Sequence, residues 1–124
     1  MSVEDRKGAA VNFLRFAREG NRAAAERLVA LGARHHNPYF QAGMPALLDA
    51  ITAATQSSQT KGSDVKRVLA DGDYVVVHSH VRHDSSAPGT AVVHIFRFDG
   101  DRIAELWDVG QSVPNDNPNT DGMF

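Results

Sequence analysis

The stretch from Thr90 to Val109, TAVVHIFRFDGDRIAELWDV, decides the fold. Two runs rich in β-branched and aromatic residues flank Asp99-Gly100 and one further residue. Asp-Gly between strand-like runs is a strong hairpin signal, because glycine takes positive φ without steric cost. Side chains alternate between faces along a strand. His94 therefore shares a face with Val92, Phe96 and Phe98, and Asp108 shares one with Ala104 and Leu106.

Upstream, VKRVLA (65–70) and DYVVVHSHVRH (73–83) flank Asp71-Gly72 in the same way, and DSSAPG (84–89) makes the middle connection. The period-2 region from Asp64 onward predicts a four-stranded antiparallel meander. Before it the apolar period is near 3.6. Ala10, Phe13, Leu14 and Ala17 mark a helix over 3–18 that Gly20 closes, and Asn21 caps a shorter one whose Ala25, Leu28 and Val29 form an apolar side. Pro45 opens a third helix, with Leu47, Leu48, Ile51 and Ala54 on one face. LGARHHNPYFQAGM (31–44) breaks periodicity, and QSSQTKGSD (56–64) reads as a polar loop. The expected fold is α+β: three N-terminal helices packed on a strongly curved antiparallel sheet, a cone-shaped α+β barrel. One domain is expected over 1–124, with residues 110–124 as a C-terminal tail. That tail ends in Met123 and Phe124, which could anchor it over a pocket or a partner; a frayed terminus is the alternative.

Composition narrows the function. Fifteen acidic against thirteen basic side chains give a net charge of −2 with no dense Lys/Arg stripe, which argues against nucleic acid as a partner. No apolar run approaches the ~20 residues a membrane span needs. The absence of cysteine excludes disulfides and thiolate sites and fits a cytoplasmic location. Residues 1–20 begin with charged side chains and do not read as an export leader. The strand at 73–81 carries Val75, Val77 and Val81 on one face and Val76 on the other, so both sides of the sheet need cover. Helices cover one; a second subunit in a two-fold homodimer is expected over the other.

The chemistry is expected among polar residues facing a cavity. An aspartate among apolar neighbours loses hydration, which raises its pKa from ~3.9 toward the range of a general base, while burial lowers a histidine and favours neutral imidazole. Asp108 and His94 fit these descriptions. His78 and His80 share one face of their strand. His36 and Asn37 precede Pro38, which favours extended backbone at Asn37. His-x-His at 78–80 is also a metal-ligand spacing and resembles the first cupin motif, with Asp84 where that pattern has Glu; the second cupin element is missing.

HHNP (35–38), AVVHIFRFDGDRIAELWDVGQSVP (91–114) and NTDGMF (119–124) resemble the SnoaL-like polyketide cyclase family, of the nuclear-transport-factor-like α+β cone superfamily. That resemblance implies cofactor-free chemistry, in which an aspartate takes a proton next to a carbonyl: aldol cyclase, isomerase or dehydratase work on a small apolar carbonyl-containing ligand. It places the base on Asp108, beside Trp107, and sets His36 and Asn37 against substrate oxygen. Leu106 stands where the family usually has histidine, and His94 where it has aspartate, so His94 is expected to donate to developing oxyanion charge. His35 replaces a frequent glutamine. The expected catalytic set is Asp108, His94 and His36. The expected substrate-binding set is Asn37, Tyr39, Phe40, His78, His80 and Trp107, with no cofactor and no metal. The alternatives are a non-catalytic dimeric small-ligand-binding module and a His-x-His metal-binding protein.

Overall fold

The structure, a computed structural model, describes residues 1–57, 62–84 and 86–124. Residues 58–61 of the expected polar loop and Ser85 of the expected middle connection lie outside the described residues. Helix α1 spans Val3–Arg18, α2 Arg22–Glu26 and α3 Met44–Ser57. Strand β1 spans Val29–His35, β2 Ser63–Asp71, β3 Tyr74–Val81, β4 Thr90–Asp99 and β5 Arg102–Ser112.

Local chemistry explains these boundaries. Ser2 and Asp5 form a reciprocal capping box at the start of α1, the Ser2 hydroxyl accepting from Asp5 N and the Asp5 carboxylate accepting from Ser2 N. At the other end Gly20, at φ +76°, lets its own N–H reach Ala17 O and that of Asn21 reach Phe16 O, the paired bonds of a Schellman ending. Asn21 then caps α2 by accepting from Ala24 N at 3.2 Å. The hairpins β2–β3 and β4–β5 close through Gly72-Asp73 and Gly100-Asp101, with positive φ at the glycine of each.

The sheet is open, five-stranded and curved, with strand order β1-β5-β4-β3-β2. Helices pack on one face, as the α+β expectation requires. One strand differs from the sequence reading: the segment taken as the tail of the second helix and the start of a connection is β1, which runs parallel to β5. Helix α2 stops at Glu26, and Val29 belongs to the sheet. The reason is visible in the register. Val29 pairs with Ile103, and Arg34 and His35 pair with Glu105 and Leu106, while the residues between loop out around Gly32 at φ +75°. A strand so interrupted has no alternation to read, and its partners come from the far end of the chain. Strand β5 also runs to Ser112, so the irregular tail starts at Val113 rather than at residue 110.

The core lies between the helices and the covered face of the sheet. Phe13, Phe96, Phe98, Ile103, Val75 and Val77 are fully buried, and Phe13 meets Phe96 edge-on with ring centroids 6.0 Å apart. Burying side chains of this size stabilises by roughly 1.5–3 kcal/mol each before entropy is counted. Arg6 fastens α1 to both hairpin turns: Nη1 donates to Gly72 O and Asp73 Oδ1, and Nη2 to Gly100 O at 3.1 Å. Among the described residues no helix is long and apolar enough to cross a membrane.

Candidate functional site

The cross-strand register sorts the polar residues by face. Val77 pairs with His94, and His94 with Asp108, so these three share the helix-covered face. His78 pairs with Val93, Ile95 with Trp107, and Arg97 with Glu105 on the other, open face.

On the covered side, α1, α3, β3, β4 and the loop after β1 enclose a cavity of about 270 Å³. Leu14, Ala17, Ile51, Ala54, Val81 and Phe40 supply its apolar wall, Ser79 and His94 line it from the sheet, Thr55, Ser63 and His83 add polar side chains, and Arg18 comes from the last turn of α1. Ligand pockets commonly run ~300–1,000 Å³, so this one suits a molecule of one or two rings rather than a fused polycycle. Two larger hollows lie elsewhere. One of about 770 Å³ lies between the open face and the C-terminal tail, and one of about 560 Å³ lies beside the looped-out part of β1.

His94 lines the cavity and is the register partner of Asp108, which, like Asn37, is not itself among the lining residues. Burial drives its imidazole down from the ordinary 6.5 to about 4, and the Asp108 carboxylate offsets part of that fall. At neutral pH the ring is uncharged. Its Nδ1 is shut off from solvent with no hydrogen-bond partner among the described residues. A neutral imidazole carries its one proton on either nitrogen, so this atom can donate or accept. Asp108 is half-buried, and Asn37 Nδ2 donates to its Oδ2 at 2.9 Å. Asn37 reaches this face because alternation continues past the end of β1. His35 turns inward, where its Nδ1 accepts from Asn37 N and its Nε2 donates to Gln41 O, whereas His36 turns outward.

The remaining expected site residues are distributed as follows. His36 stacks on Trp107 on the open face, with ring centroids 5.0 Å apart and planes 9° from parallel, and its Nε2 lies 2.5 Å from Glu105 Oε2. Glu105 also receives Arg97 Nε at 3.1 Å and faces Arg34; the His36 hydrogen bond, then the two arginines, hold its carboxyl below the usual range against its burial. His78 and His80 both stack on Phe124, at 5.6 and 4.5 Å. His80 also contacts Pro88 O, and His78 contacts Arg67. Tyr39 stands in solvent, while Phe40 lines the cavity. The structure thus gathers Asp108, His94, Asn37 and Phe40 on one side of the sheet, and His36, Trp107, His78 and His80 on the other. Among the described residues no three His, Asp or Glu side chains are gathered as a metal site would need. Two residues were missed by sequence reasoning. Ser79 was legible by alternation, since it extends the Val75 and Val77 face; Glu105, the hub of the open-face cluster, carried no comparable signal.

A family model for the SnoaL-like domain matches residues 10–106. A SnoaL-like protein of unknown function from Burkholderia thailandensis E264 superposes with a TM-score of 0.74 at 12% identity, over 90% of this chain and 98% of that one. An NTF-2-like protein of unknown function from Burkholderia xenovorans LB400 gives 0.73 at 14% identity, over 93% and 88%. A protein from Kribbella flavida, provisionally described as a ketosteroid isomerase, gives 0.71 at 16% identity, over 94% and 84%. A search of the curated proteins returns no match. Likeness at these identities speaks for the fold, and the family match spans most of the chain: it belongs to the SnoaL-like domain family.

Proposed function

We propose that the protein binds a small apolar carbonyl compound in the 270 Å³ cavity and removes a proton from the carbon beside the carbonyl, without a cofactor. Asp108 is the base, Asn37 holds its carboxylate in place, and His94, neutral, donates from its ring N–H to the oxygen on which negative charge develops. The observation that supports this best is the cross-strand pairing of Asp108 with a buried, uncharged histidine on the cavity wall. Phe40 supplies apolar wall. His36, Trp107, His78 and His80 are left to the open face, where they hold β1 and the tail against the sheet. That face carries exposed Leu69, Tyr74 and Val109, which favours a homodimer built on it.

The test is hydrogen exchange in D2O on a bicyclic ketone, 1-indanone, followed by NMR at the carbon beside the carbonyl. Catalysed exchange that disappears in Asp108→Asn while the ketone still binds supports the proposal. Binding without any catalysed exchange assigns the fold here to a non-catalytic ligand-binding module instead.

A further inference from the structure

We infer that Ser79 and His94 together grip one neutral oxygen, carbonyl or hydroxyl, of a one- or two-ring ligand, and that Ser79 is the residue selecting oxygenated ligands over bare hydrocarbons. The inference rests on the reading of the cavity as the ligand site and adds to it the class of group the cavity wall recognises. Ser79 is 1% exposed, and its Oγ has no hydrogen-bond partner among the described residues; His94 Nδ1 is in the same condition. Both residues line the same cavity. They sit on neighbouring strands of one face, Ser79 two positions along β3 from Val77, which is the register partner of His94.

Buried polar groups are normally satisfied, and an orphan costs the folded state unless something relieves it. Two orphans on residues that line one pocket from the sheet are relieved together by one ligand oxygen, a carbonyl accepting from the Ser79 hydroxyl and from the His94 ring N–H, or a hydroxyl accepting from one and donating to the other. A serine hydroxyl donates or accepts and changes rotamer freely, so Oγ can turn toward a guest. A bare anion is a poor fit here, because neither a hydroxyl nor an uncharged imidazole neutralises it. Arg18 is the full positive charge among the lining residues and comes from the helix rather than the sheet. An acidic substituent would be held there, leaving the neutral oxygen to Ser79 and His94.

The test compares 1-indanone with indane, the same bicycle without its oxygen, by ligand-observed NMR titration. The wild-type protein should prefer the ketone by about tenfold or more. Ser79→Ala should cut that preference about fivefold while leaving indane affinity unchanged or raised. Ser79→Cys, which is somewhat larger and donates only weakly, should behave like alanine. A role confined to folding would shift both ligands together and leave the ratio untouched. Equal wild-type binding of the two ligands overturns the oxygen-gripping role and leaves the cavity reading standing. Binding of neither overturns the cavity reading itself.

Discussion

His94 and Asp108 stand opposite each other across β4 and β5 on the helix-covered face, with Asn37 holding the carboxylate from beyond the end of β1. Asp108→Asn keeps the shape and the Asn37 contact surface while removing the base. Loss of a positioned base typically lowers a rate by about 10²–10⁴-fold. Exchange on 1-indanone should fall by that order with ketone binding near the wild-type value. Undiminished exchange in the Asn variant would remove Asp108 from the role.

The same pairing gives the protein a defined acid response. The folded-state pKa of His94 is about 4 against 6.5 for the free side chain, so between these values the unfolded chain binds a proton that the folded one does not. Stability is therefore complete above about pH 6.5 and declines as pH falls toward 4, with a ceiling of about 3 kcal/mol for this group. The Asp108 carboxylate favours the charged ring, so Asp108→Asn should push the His94 midpoint lower still. An imidazole titration followed by NMR reads both, and a His94 midpoint near 6.5 would refute the account.

His36 separates the two faces experimentally. Its ring is stacked on Trp107 and bonded to Glu105, away from Asp108. His36→Phe keeps the stacking and deletes the bond. The expected result is a lower Tm with 1-indanone exchange unchanged within about twofold, as for a site remote from the chemistry. The Tm deficit should shrink on acidification below the carboxylate range, because the stability that Glu105 contributes through its depressed pKa is present above that range and lost below it. A large loss of exchange would return His36 to the catalytic set.

Much of this arrangement is legible in the sequence, and the boundary is physical. The helices and the meander announce themselves because one apolar face repeats at a fixed period, as Phe13 and Ala17 do in α1 and Val75 and Val77 in β3. Alternation also pairs His78 with His80 correctly. It does not say which face the helices cover, because Val76, Ile95 and Trp107 make the open face apolar as well. The histidine pair thus falls on the open face beneath Phe124. Strand β1 is illegible for a different reason. Its pairing with β5 is parallel and distant in sequence, so no local pattern marks where His36 and Asn37 part to opposite sides.

Arg6 offers a stability test independent of the site. One guanidinium serves the turn carbonyls of Gly72 and Gly100 and the Asp73 carboxylate, tying α1 to both hairpins. Hydrogen bonds to charged groups contribute about 1.5–3 kcal/mol, and the turn atoms it leaves are reachable by water. Arg6→Ala should cost about 2 kcal/mol in urea unfolding, with the ketone-to-hydrocarbon preference unchanged. Arg6→Lys should recover only part of the loss, because a single ammonium lacks the planar fork that spans both turns.

Assembly can be separated from the cavity in the same manner. The open face exposes Val109 at 65%, Leu69 at 55% and Tyr74 at 45%, apolar side chains that a partner on this face would cover. A two-fold partner on this face would meet the same residues from its own copy, so a charge at Val109 would face or closely neighbour its twin. Val109→Glu should convert a dimer to a monomer in analytical ultracentrifugation, and the cavity on the opposite face should still bind 1-indanone as before. A wild-type protein that sediments as a monomer at high concentration would sink the homodimer, and loss of ketone binding in Val109→Glu would show that the two faces are coupled.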